Sequence, residues 1–327
     1  MPAASTPDLF TPLRAGAFEL SHRVVMPALS RHRADADGVP SARMAAHYGR
    51  RASAGGLIVC EATAVNAASC QPGAPGLHSA EQVNHWRQVT DAVHRGGGIV
   101  IAQLRLGAAA GGPAPPDPDS IERWLLDYRS AAENAGDAGF DGVELQAAQG
   151  ALPERMLHEA SAEDGPGMRF LAAALRSLIG VWGRERVGLC LSLQRPEPGR
   201  RSAGLDALAF YAQLLCDLQR EGIAYLQLVE PGHDGLVTPP ERAPQPRLAS
   251  LLRPHYAGVL LVAGGHDAAS ARQALGSGQA DAVAFGRAFI AHPDLPARLR
   301  AGLPLRRGSP RWYFAGGDRG YVDAAGG

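Results

Sequence analysis

Two glycine-bearing turns near the end of the chain carry residues that could bind a phosphate group. The segments are VAGG at 262–265 and AFGR at 284–287, and each lies between an apolar run and a stretch with helical periodicity. Glycine lets backbone N–H groups turn toward a ligand, a helix N-terminus adds partial positive charge, and an arginine forks onto phosphate oxygens. The predicted phosphate residues are Gly264, Gly265, Gly286 and Arg287.

A second stretch, GFDGVELQAAQGAL at 139–152, begins like a buried strand and ends in two glutamines among alanines. The amides of Gln146 and Gln149 can donate N–H groups to a carbonyl oxygen. They are neutral, and neither they nor Ala151 can serve as a general acid. This stretch therefore predicts substrate anchoring without a proton donor.

Eight short apolar runs alternate with amphipathic helical stretches and must position these residues. The runs cover 23–29, 56–62, 98–104, 142–146, 187–193, 224–230, 259–265 and 282–287. Continuous apolar runs are typical of parallel strands buried on both faces, and strand–helix alternation indicates repeated βαβ units. Eight units predict an α/β fold of the (β/α)8 TIM-barrel type. An open doubly wound sheet is the alternative, but no GxGxxG motif follows the first strand. In a barrel, the loops after strands seven and eight often bind phosphate, which agrees with the two glycine turns.

Amino-acid composition and charge indicate which classes of binding partner to expect. The chain has 327 residues with 32 basic and 32 acidic side chains, so its formal net charge is +0. This balance gives no electrostatic reason to expect nucleic acid or an anionic membrane as partner. No apolar run is long enough to cross a bilayer, and the first residues do not resemble a signal peptide, so a cytoplasmic location is expected. A small-molecule substrate is expected, and a homo-oligomer is compatible with the sequence.

The cysteines and histidines show no metal-ligand spacing, so no metal site is predicted. Three of the four cysteines lie in apolar runs and are predicted to be core residues. We expect residues 1–327 to form a single barrel domain. Its predicted special features are a shortened loop after the third strand (107–120) and a C-terminal tail (302–327) folded near the barrel mouth.

Several motifs, in one order along nearly the whole chain, resemble the Old Yellow Enzyme family of FMN-dependent ene-reductases. They include the opening LFTPLRAGAFELSHRVVMPALSRHR, the later segments AGFDGVEL and LLVAGG, and ADAVAFGRAFIAHPDLPARL near the end. The resemblance implies a TIM barrel with FMN at the carboxyl-terminal mouth and NADPH or NADH as reductant. It also implies that the phosphate of FMN is held by the four residues named above.

The resemblance assigns three more flavin contacts. Ser30 supplies a hydroxyl near the isoalloxazine ring, where the family has threonine. Ala62 matches a backbone contact. Gln103 matches the amide that hydrogen-bonds the pyrimidine edge of the flavin.

The chain departs from the family at the residues that activate the substrate. A His-His or His-Asn pair and a tyrosine are replaced by Gln146, Gln149 and Ala151. Cys190 replaces an arginine that faces flavin N1 and O2, where negative charge collects on reduction. Arg105 replaces a tryptophan and could bind an anionic group, or its side chain could extend into solvent. The predicted catalytic residues are Gln146, Gln149 and Arg105, and the predicted substrate-pocket residues are Leu106, Ala151, Cys190 and Phe314.

Three functions follow as hypotheses. The first is an FMN-binding oxidoreductase with non-standard activation of an unsaturated or carbonyl-containing small molecule. We favour it because a retained phosphate site implies a cofactor in use. The second is a redox-neutral isomerase or cyclase on the same barrel, with or without flavin. The third is a non-catalytic ligand-binding homologue. Fold alone does not decide among them.

Overall fold

The computed structural model describes residues 6–107, 118–159, 165–193, 207–231, 247–306, 308–314 and 317–322. Most of the predicted loop at 107–120 lies outside these residues. No helix within the described ranges is both long and apolar enough to span a membrane.

The strands of the described residues form one small hairpin and one large parallel sheet. Their bounds are β1 (Leu13–Ala15), β2 (Phe18–Leu20), β3 (Val24–Val25), β4 (Leu57–Val59), β5 (Thr63–Ala64), β6 (Ile99–Arg105), β7 (Gly142–Ala147), β8 (Val187–Ser192), β9 (Tyr225–Val229), β10 (Leu260–Ala263) and β11 (Ala282–Ala284). The eight predicted apolar runs each contain one strand of the parallel sheet. The sequence pattern did not predict β1, β2 or β5.

The parallel sheet closes on itself. Its order is β3-β11-β10-β9-β8-β7-β6-β4, with β5 paired to β6. A parallel bridge between Met26 and Ile58 then joins the first and last strands, with the Met26 N–H donating to the Leu57 carbonyl at 3.0 Å. The predicted (β/α)8 barrel is therefore confirmed, and the open doubly wound alternative is wrong.

Helices cover the outside of the barrel. Their bounds are α1 (Ala42–Gly49), α2 (Ala80–Arg95), α3 (Pro118–Asp137), α4 (Leu152–Glu159), α5 (Pro166–Trp182), α6 (Ala207–Glu221), α7 (Leu248–Leu252), α8 (Ala268–Gly276), α9 (Gly286–Ala291) and α10 (Leu295–Arg300). Short 3-10 helices lie at Ala67–Ser69, Arg184–Arg186, Arg253–His255 and Pro310–Trp312. Helix α2 begins with a capping box between Ser79 and Gln82, a pattern that stabilises a helix start by about 1 kcal/mol.

The barrel wall separates two cores because successive strand residues face opposite sides. In β7, Val143 and Leu145 pack outward against the helices, whereas Glu144 and Gln146 face the barrel interior. The lower interior is apolar. Its members include Val25, Val59, Ile101, Tyr225, Leu261 and Ala282.

The β1–β2 hairpin closes the amino-terminal end of the barrel. Phe18 and Leu20 belong to the interior core, and the Ala17 N–H donates to the Glu185 carbonyl at 2.8 Å. The turn needs glycine at position 16 because φ is +59° and a Cβ would collide with the same carbonyl oxygen. The open end is therefore the carboxyl-terminal end, where the predicted site residues lie.

The described part of the C-terminal tail packs on the segment that follows β3. Arg31 donates to three tail carbonyls: Tyr313 at 2.8 Å, Trp312 at 3.2 Å and Gly320 at 2.6 Å. Arg31 is fully buried, and its guanidinium lies 5.1 Å from the centre of the Tyr321 ring. The segment that carries Ser30 is thus fastened to the tail.

The four cysteines are free. Cys60 and Cys190 are buried, as predicted for core residues. The prediction is wrong for Cys216, which α6 turns toward solvent.

Candidate active site

Polar side chains collect in the barrel interior near the carboxyl-terminal ends of β6 to β9. Gln103 is paired in register with Glu144, and Gln146 is paired with Cys190, which is paired in turn with Gln227. All five side chains are buried. A polar layer inside an otherwise apolar barrel marks this end as the place where a ligand would be bound.

Glu144 is the ionisable group of this layer that the sequence analysis did not select. Its Oε1 accepts a hydrogen bond from Gln103 Nε2 at 2.7 Å. Burial raises the pKa of Glu144 to about 7, and the hydrogen bond from Gln103 opposes that rise. The sequence did contain a signal for it, because a carboxylate stands in the middle of the buried strand GVELQ.

Two amide oxygens in the layer lack partners. Gln146 Oε1 and Gln227 Oε1 are buried and accept no hydrogen bond from the described residues. A buried acceptor left without a donor costs about 1–3 kcal/mol. These oxygens therefore indicate that a bound molecule supplies N–H or O–H donors here.

Cys190 brings no charge to the layer. Gln227 Nε2 donates to its sulfur at 3.3 Å. Burial, and secondarily the nearby Glu144, raise the pKa of the Cys190 thiol well above its ordinary value. The thiol is therefore protonated at neutral pH. Gln227 was missed by the sequence analysis, although it too is a polar residue inside a buried strand.

The predicted phosphate residues meet at the ends of β10 and β11. Gly264 and Gly265 have φ values of +136° and +64°, which L side chains rarely adopt. Gly286 opens α9, whose N-cap residue Phe285 provides no side-chain cap, and Arg287 lies half-buried in its first turn. Such an uncapped short helix after the last strand is a common phosphate position in barrels.

Helix α8 contributes less to this site than the sequence suggests. Asp267 caps its first turn in a capping box with Ser270, accepting the Ser270 N–H at 2.8 Å. The positive end of α8 is therefore partly occupied by the chain's own carboxylate. Arg247, which sequence analysis missed, donates to the Gly264 carbonyl at 2.5 Å and brings a further cation to this turn.

Ser30 and Ala62 lie on neighbouring strand ends and are joined through Glu61. The Arg31 N–H donates to Glu61 Oε2 at 3.0 Å, and the Tyr48 hydroxyl donates to Glu61 Oε1 at 3.3 Å. Burial raises the pKa of Glu61, while these hydrogen bonds lower it. The buried carboxyl group thus fixes both predicted flavin-contacting segments relative to each other.

The remaining predicted residues are placed differently from one another. Gln149 is exposed in a turn with φ +56°, and its N–H donates to Ser192 Oγ at 3.3 Å, whereas Gln146 is buried. The two glutamines therefore do not share one environment. Ala151 is fully buried and forms an antiparallel bridge with Gly107.

Arg105, Leu106 and Phe314 lie in three different surroundings. Arg105 is half-buried, and a Cβ on Gly107 would lie 3.1 Å from its Nη1. Leu106 packs in the outer core, between the sheet and the helices, so its side chain does not face the interior. Phe314 is 40% exposed, and its ring centre lies 5.5 Å from that of His32.

The described residues contain no group of three or more His, Cys, Asp or Glu side chains that could hold a metal ion. The described residues thus form a parallel barrel with two glycine turns at neighbouring strand ends and a polar interior layer, an arrangement typical of enzymes that bind a phosphorylated cofactor.

Comparison with known proteins gives the family. The model of the NADH:flavin oxidoreductase / NADH oxidase family matches residues 8–117 and 116–306. The chain is 33% identical to the probable flavin mononucleotide-dependent alkene reductase of Leishmania infantum, over 96% of each chain. The solved Old Yellow Enzyme homologue from Zymomonas mobilis is 32% identical with a TM-score of 0.85, over 97% of this chain and 99% of that one. Morphinone reductase in complex with tetrahydroNAD is 32% identical with a TM-score of 0.84, over 97% of each.

The chain therefore belongs to the NADH:flavin oxidoreductase / NADH oxidase family, that of Old Yellow Enzyme. It is a flavin-dependent oxidoreductase that uses FMN. The residues present fit this cofactor. The glycine turns suit its phosphate, and the orphaned oxygens of Gln146 and Gln227 suit donors on a flavin or a substrate.

Proposed function

We propose that the protein reduces an unsaturated or carbonyl-containing small molecule and activates that substrate with neutral amide groups. The observation that carries the proposal is Gln146, a neutral amide buried in the polar interior layer. Its N–H group can donate to a substrate carbonyl oxygen, and its own oxygen, unpartnered among the described residues, can accept from a donor on the ligand. The resemblance puts an imidazole at this position. An amide can orient a carbonyl oxygen but does not supply a proton.

The cofactor is proposed to lie across the open end of the barrel. Gly264, Gly265, Gly286 and Arg287 would hold its phosphate, and Ser30, Ala62 and Gln103 its ring. Bound FMN supplies two-electron transfer between a nicotinamide, NADPH or NADH, and the substrate. The chain's own contribution is to bind, orient and exclude water.

Proton supply is proposed to come from water. Ala151 has no titratable group, and the raised pKa of the Cys190 thiol makes it a poor acid. Gln149 is exposed beyond the end of β7 and can contact a substrate at the rim. Arg105 lies two residues beyond Gln103 on β6 and can attract an anionic substrate group.

A redox-neutral isomerase or cyclase is the second candidate. The observation that favours it is the neutral Cys190, because a reduced flavin is less stable without a nearby positive charge. Its substrate would occupy the same interior layer. The two candidates differ in whether a nicotinamide reduces the bound flavin.

Anaerobic mixing with NADPH and NADH separates the candidates. We expect the purified protein to be yellow, and we expect its flavin absorption to bleach with one of the two nicotinamides. Return of the flavin absorption after substrate addition would show electron transfer to that substrate. A yellow protein that neither nicotinamide bleaches would support the redox-neutral reaction instead. A colourless protein that cannot be loaded with FMN would contradict the first candidate and the flavin-bound form of the second.

Replacing Arg287 with alanine is expected to weaken FMN binding about 10- to 100-fold, because a charge-assisted hydrogen bond to phosphate contributes about 1.5–3 kcal/mol. Titration of apoprotein with FMN, followed by flavin fluorescence, measures the loss. Riboflavin lacks the phosphate, so its affinity should not change. Arg298→Ala on α10, where Arg298 pairs with Asp294 at 2.9 Å, is the matched control. Equal loss of FMN and riboflavin would place Arg287 away from the phosphate.

A further inference from the structure

Among the residues that the structure describes, none brings a positive charge to the carboxyl group of Glu144 in the barrel interior. Its Oε1 accepts the Gln103 amide, and its Oε2 is buried without a hydrogen-bond partner among the described residues. Buried carboxylates are normally paired with a cation or with several donors. Glu144 is therefore poorly stabilised in its charged form.

The neighbours of Glu144 on each adjoining element are neutral or directed elsewhere. From β8 it faces Cys190, and from β9 it faces Tyr225, whose hydroxyl lies near the same carboxyl group and, like the Gln103 amide, lowers its pKa without offsetting the effect of burial. Burial raises the pKa of both neighbours well above their ordinary values, so both stay neutral. The charged side chain on β6 is Arg105 at the end of the strand, and its Nη1 would lie 3.1 Å from a Cβ on Gly107, two residues beyond the strand.

The remaining strands, as far as the structure describes them, offer no charge to this carboxyl group. The described interior residues on β3, β4, β10, β11 and the β1–β2 hairpin are apolar: Val25, Leu57, Val59, Leu261, Ala263, Ala282, Ala284, Phe18 and Leu20. Burial among them raises the pKa of Glu144 to about 7, which brings its titration close to neutral pH.

This carboxyl group lies one hydrogen bond away from the proposed flavin edge. The inference rests on the proposed function, in which the Gln103 amide contacts the pyrimidine ring. Electron uptake by a flavin adds negative charge at that edge, and here a neutral thiol and neutral amides surround it. In a low-dielectric interior, an ionised Glu144 would oppose the added charge strongly.

We propose that Glu144 binds a proton when the flavin accepts electrons, so that proton uptake takes the place of a fixed positive charge. The nicotinamide gives up two electrons and one proton and leaves in its oxidised form. A second proton comes from water and forms an O–H bond with a Glu144 carboxylate oxygen. The hydroxide that remains is neutralised by the buffer.

The pH dependence of the flavin midpoint potential tests this proposal in the FMN-loaded protein. Above about pH 7 we expect the wild-type potential to fall by about 60 mV per pH unit, for two electrons with two protons. In Glu144→Gln the fall should be about 30 mV per unit, because one proton is lost from the reaction. The glutamine keeps the shape of the side chain and can still hydrogen-bond Gln103.

Reduced-minus-oxidised infrared difference spectra decide where the proton binds. The wild type should gain the carbonyl band of a protonated carboxylic acid, and Glu144→Gln should lack it. Glu230→Gln is the matched control, since Glu230 is also buried but caps the N–H groups of Leu248 and Ala249 at 3.1 and 2.8 Å. A steep slope without the carboxyl band, or equal slopes in both proteins, would overturn the proposal.

Apoprotein supplies an independent readout. When a carboxyl group has a raised pKa in the folded state, the protein loses stability as the pH rises from the unfolded-state pKa of that group to its folded-state pKa. The wild type should therefore lose unfolding free energy relative to Glu144→Gln between about pH 4.5 and 7. A parallel pH profile in the two proteins would show that Glu144 does not titrate near neutrality. Failure to bind FMN would count against the proposed function and would leave this profile readable.

Discussion

Replacing Cys190 with arginine should raise the midpoint potential of the bound flavin by about 30 to 60 mV at about pH 8.5, where a charge-assisted hydrogen bond of about 1.5–3 kcal/mol converts at 30 mV per 1.4 kcal/mol. Cys190 is paired in register with Gln146 on one side and Gln227 on the other, in the middle of the polar layer. A guanidinium there would stabilise the negative charge that reduction adds. The sign is positive because the reduced form, which carries the added negative charge, gains more than the oxidised form.

The gain should shrink at lower pH. Below about pH 7 the carboxyl group of Glu144 is already protonated in the wild type. The negative charge added on reduction is then not opposed by a carboxylate. In the variant the new guanidinium keeps Glu144 ionised, and the pair is neutral overall. The double variant Cys190→Arg with Glu144→Gln should therefore show a larger rise in flavin midpoint potential than Cys190→Arg alone.

Potentiometric titration of the wild type, Cys190→Arg and the double variant with a reference dye measures these shifts in midpoint potential. Cys190→Met is the control, because it adds volume at the same buried position without charge. The variant should also be reduced faster by the preferred nicotinamide. An equal shift in Cys190→Met and Cys190→Arg would mean that packing, and not charge, sets the potential at this position.

The sequence was informative where the physical pattern is continuous. Runs such as GIVIAQL stay apolar because both faces of the strand are buried, and each of the eight runs contains a barrel strand. The closing bridge at Met26 and the two-residue β5 could not be predicted, since such short pairings leave no period to detect. The β1–β2 hairpin at the amino-terminal end of the barrel was not predicted for the same reason.

The candidate site was predictable in part. The positive φ values at Gly264 and Gly265 agree with the glycine argument, because backbone turned in this way excludes other residues. Arg247 joins that turn through tertiary contact, which no local spacing encodes. Gln146 and Gln149 looked equivalent in the sequence, yet the turn at Gln149 moves it from strand interior to exposed surface.

Glu144 shows a different limit. Its position inside a buried strand was visible, but its meaning depends on what faces it from neighbouring strands. Those neighbours, Cys190 and Tyr225, are 46 and 81 residues further along the chain (190 − 144 and 225 − 144). Burial and charge are properties of the assembled barrel, so the raised pKa became apparent only with the fold.

Replacing Arg31 with alanine is expected to lower the free energy of unfolding by about 2–4 kcal/mol, because charge-assisted hydrogen bonds to the tail and the packing of a buried side chain are lost together. Arg31 shares the Tyr313 and Trp312 carbonyls with Arg33. The shortest of the three Arg31 hydrogen bonds to the tail, at 2.6 Å, goes to the Gly320 carbonyl. We therefore expect the largest loss of protection at that end of the tail.

Urea unfolding gives the free energy, and hydrogen exchange across 308–322 locates it. Arg43→Ala is the matched control, because the Arg43–Asp318 ion pair joins the same tail at 2.9 Å but is exposed. Exposed pairs contribute about 0–1 kcal/mol. FMN affinity should also fall in Arg31→Ala: the backbone N–H of residue 31 can still bond Glu61, but the segment that carries it and the neighbouring Ser30 loses its side-chain attachment to the tail. If both variants lose the same small free energy, the buried arginine does not hold the tail, and the position of Ser30 must be set by the barrel strand alone.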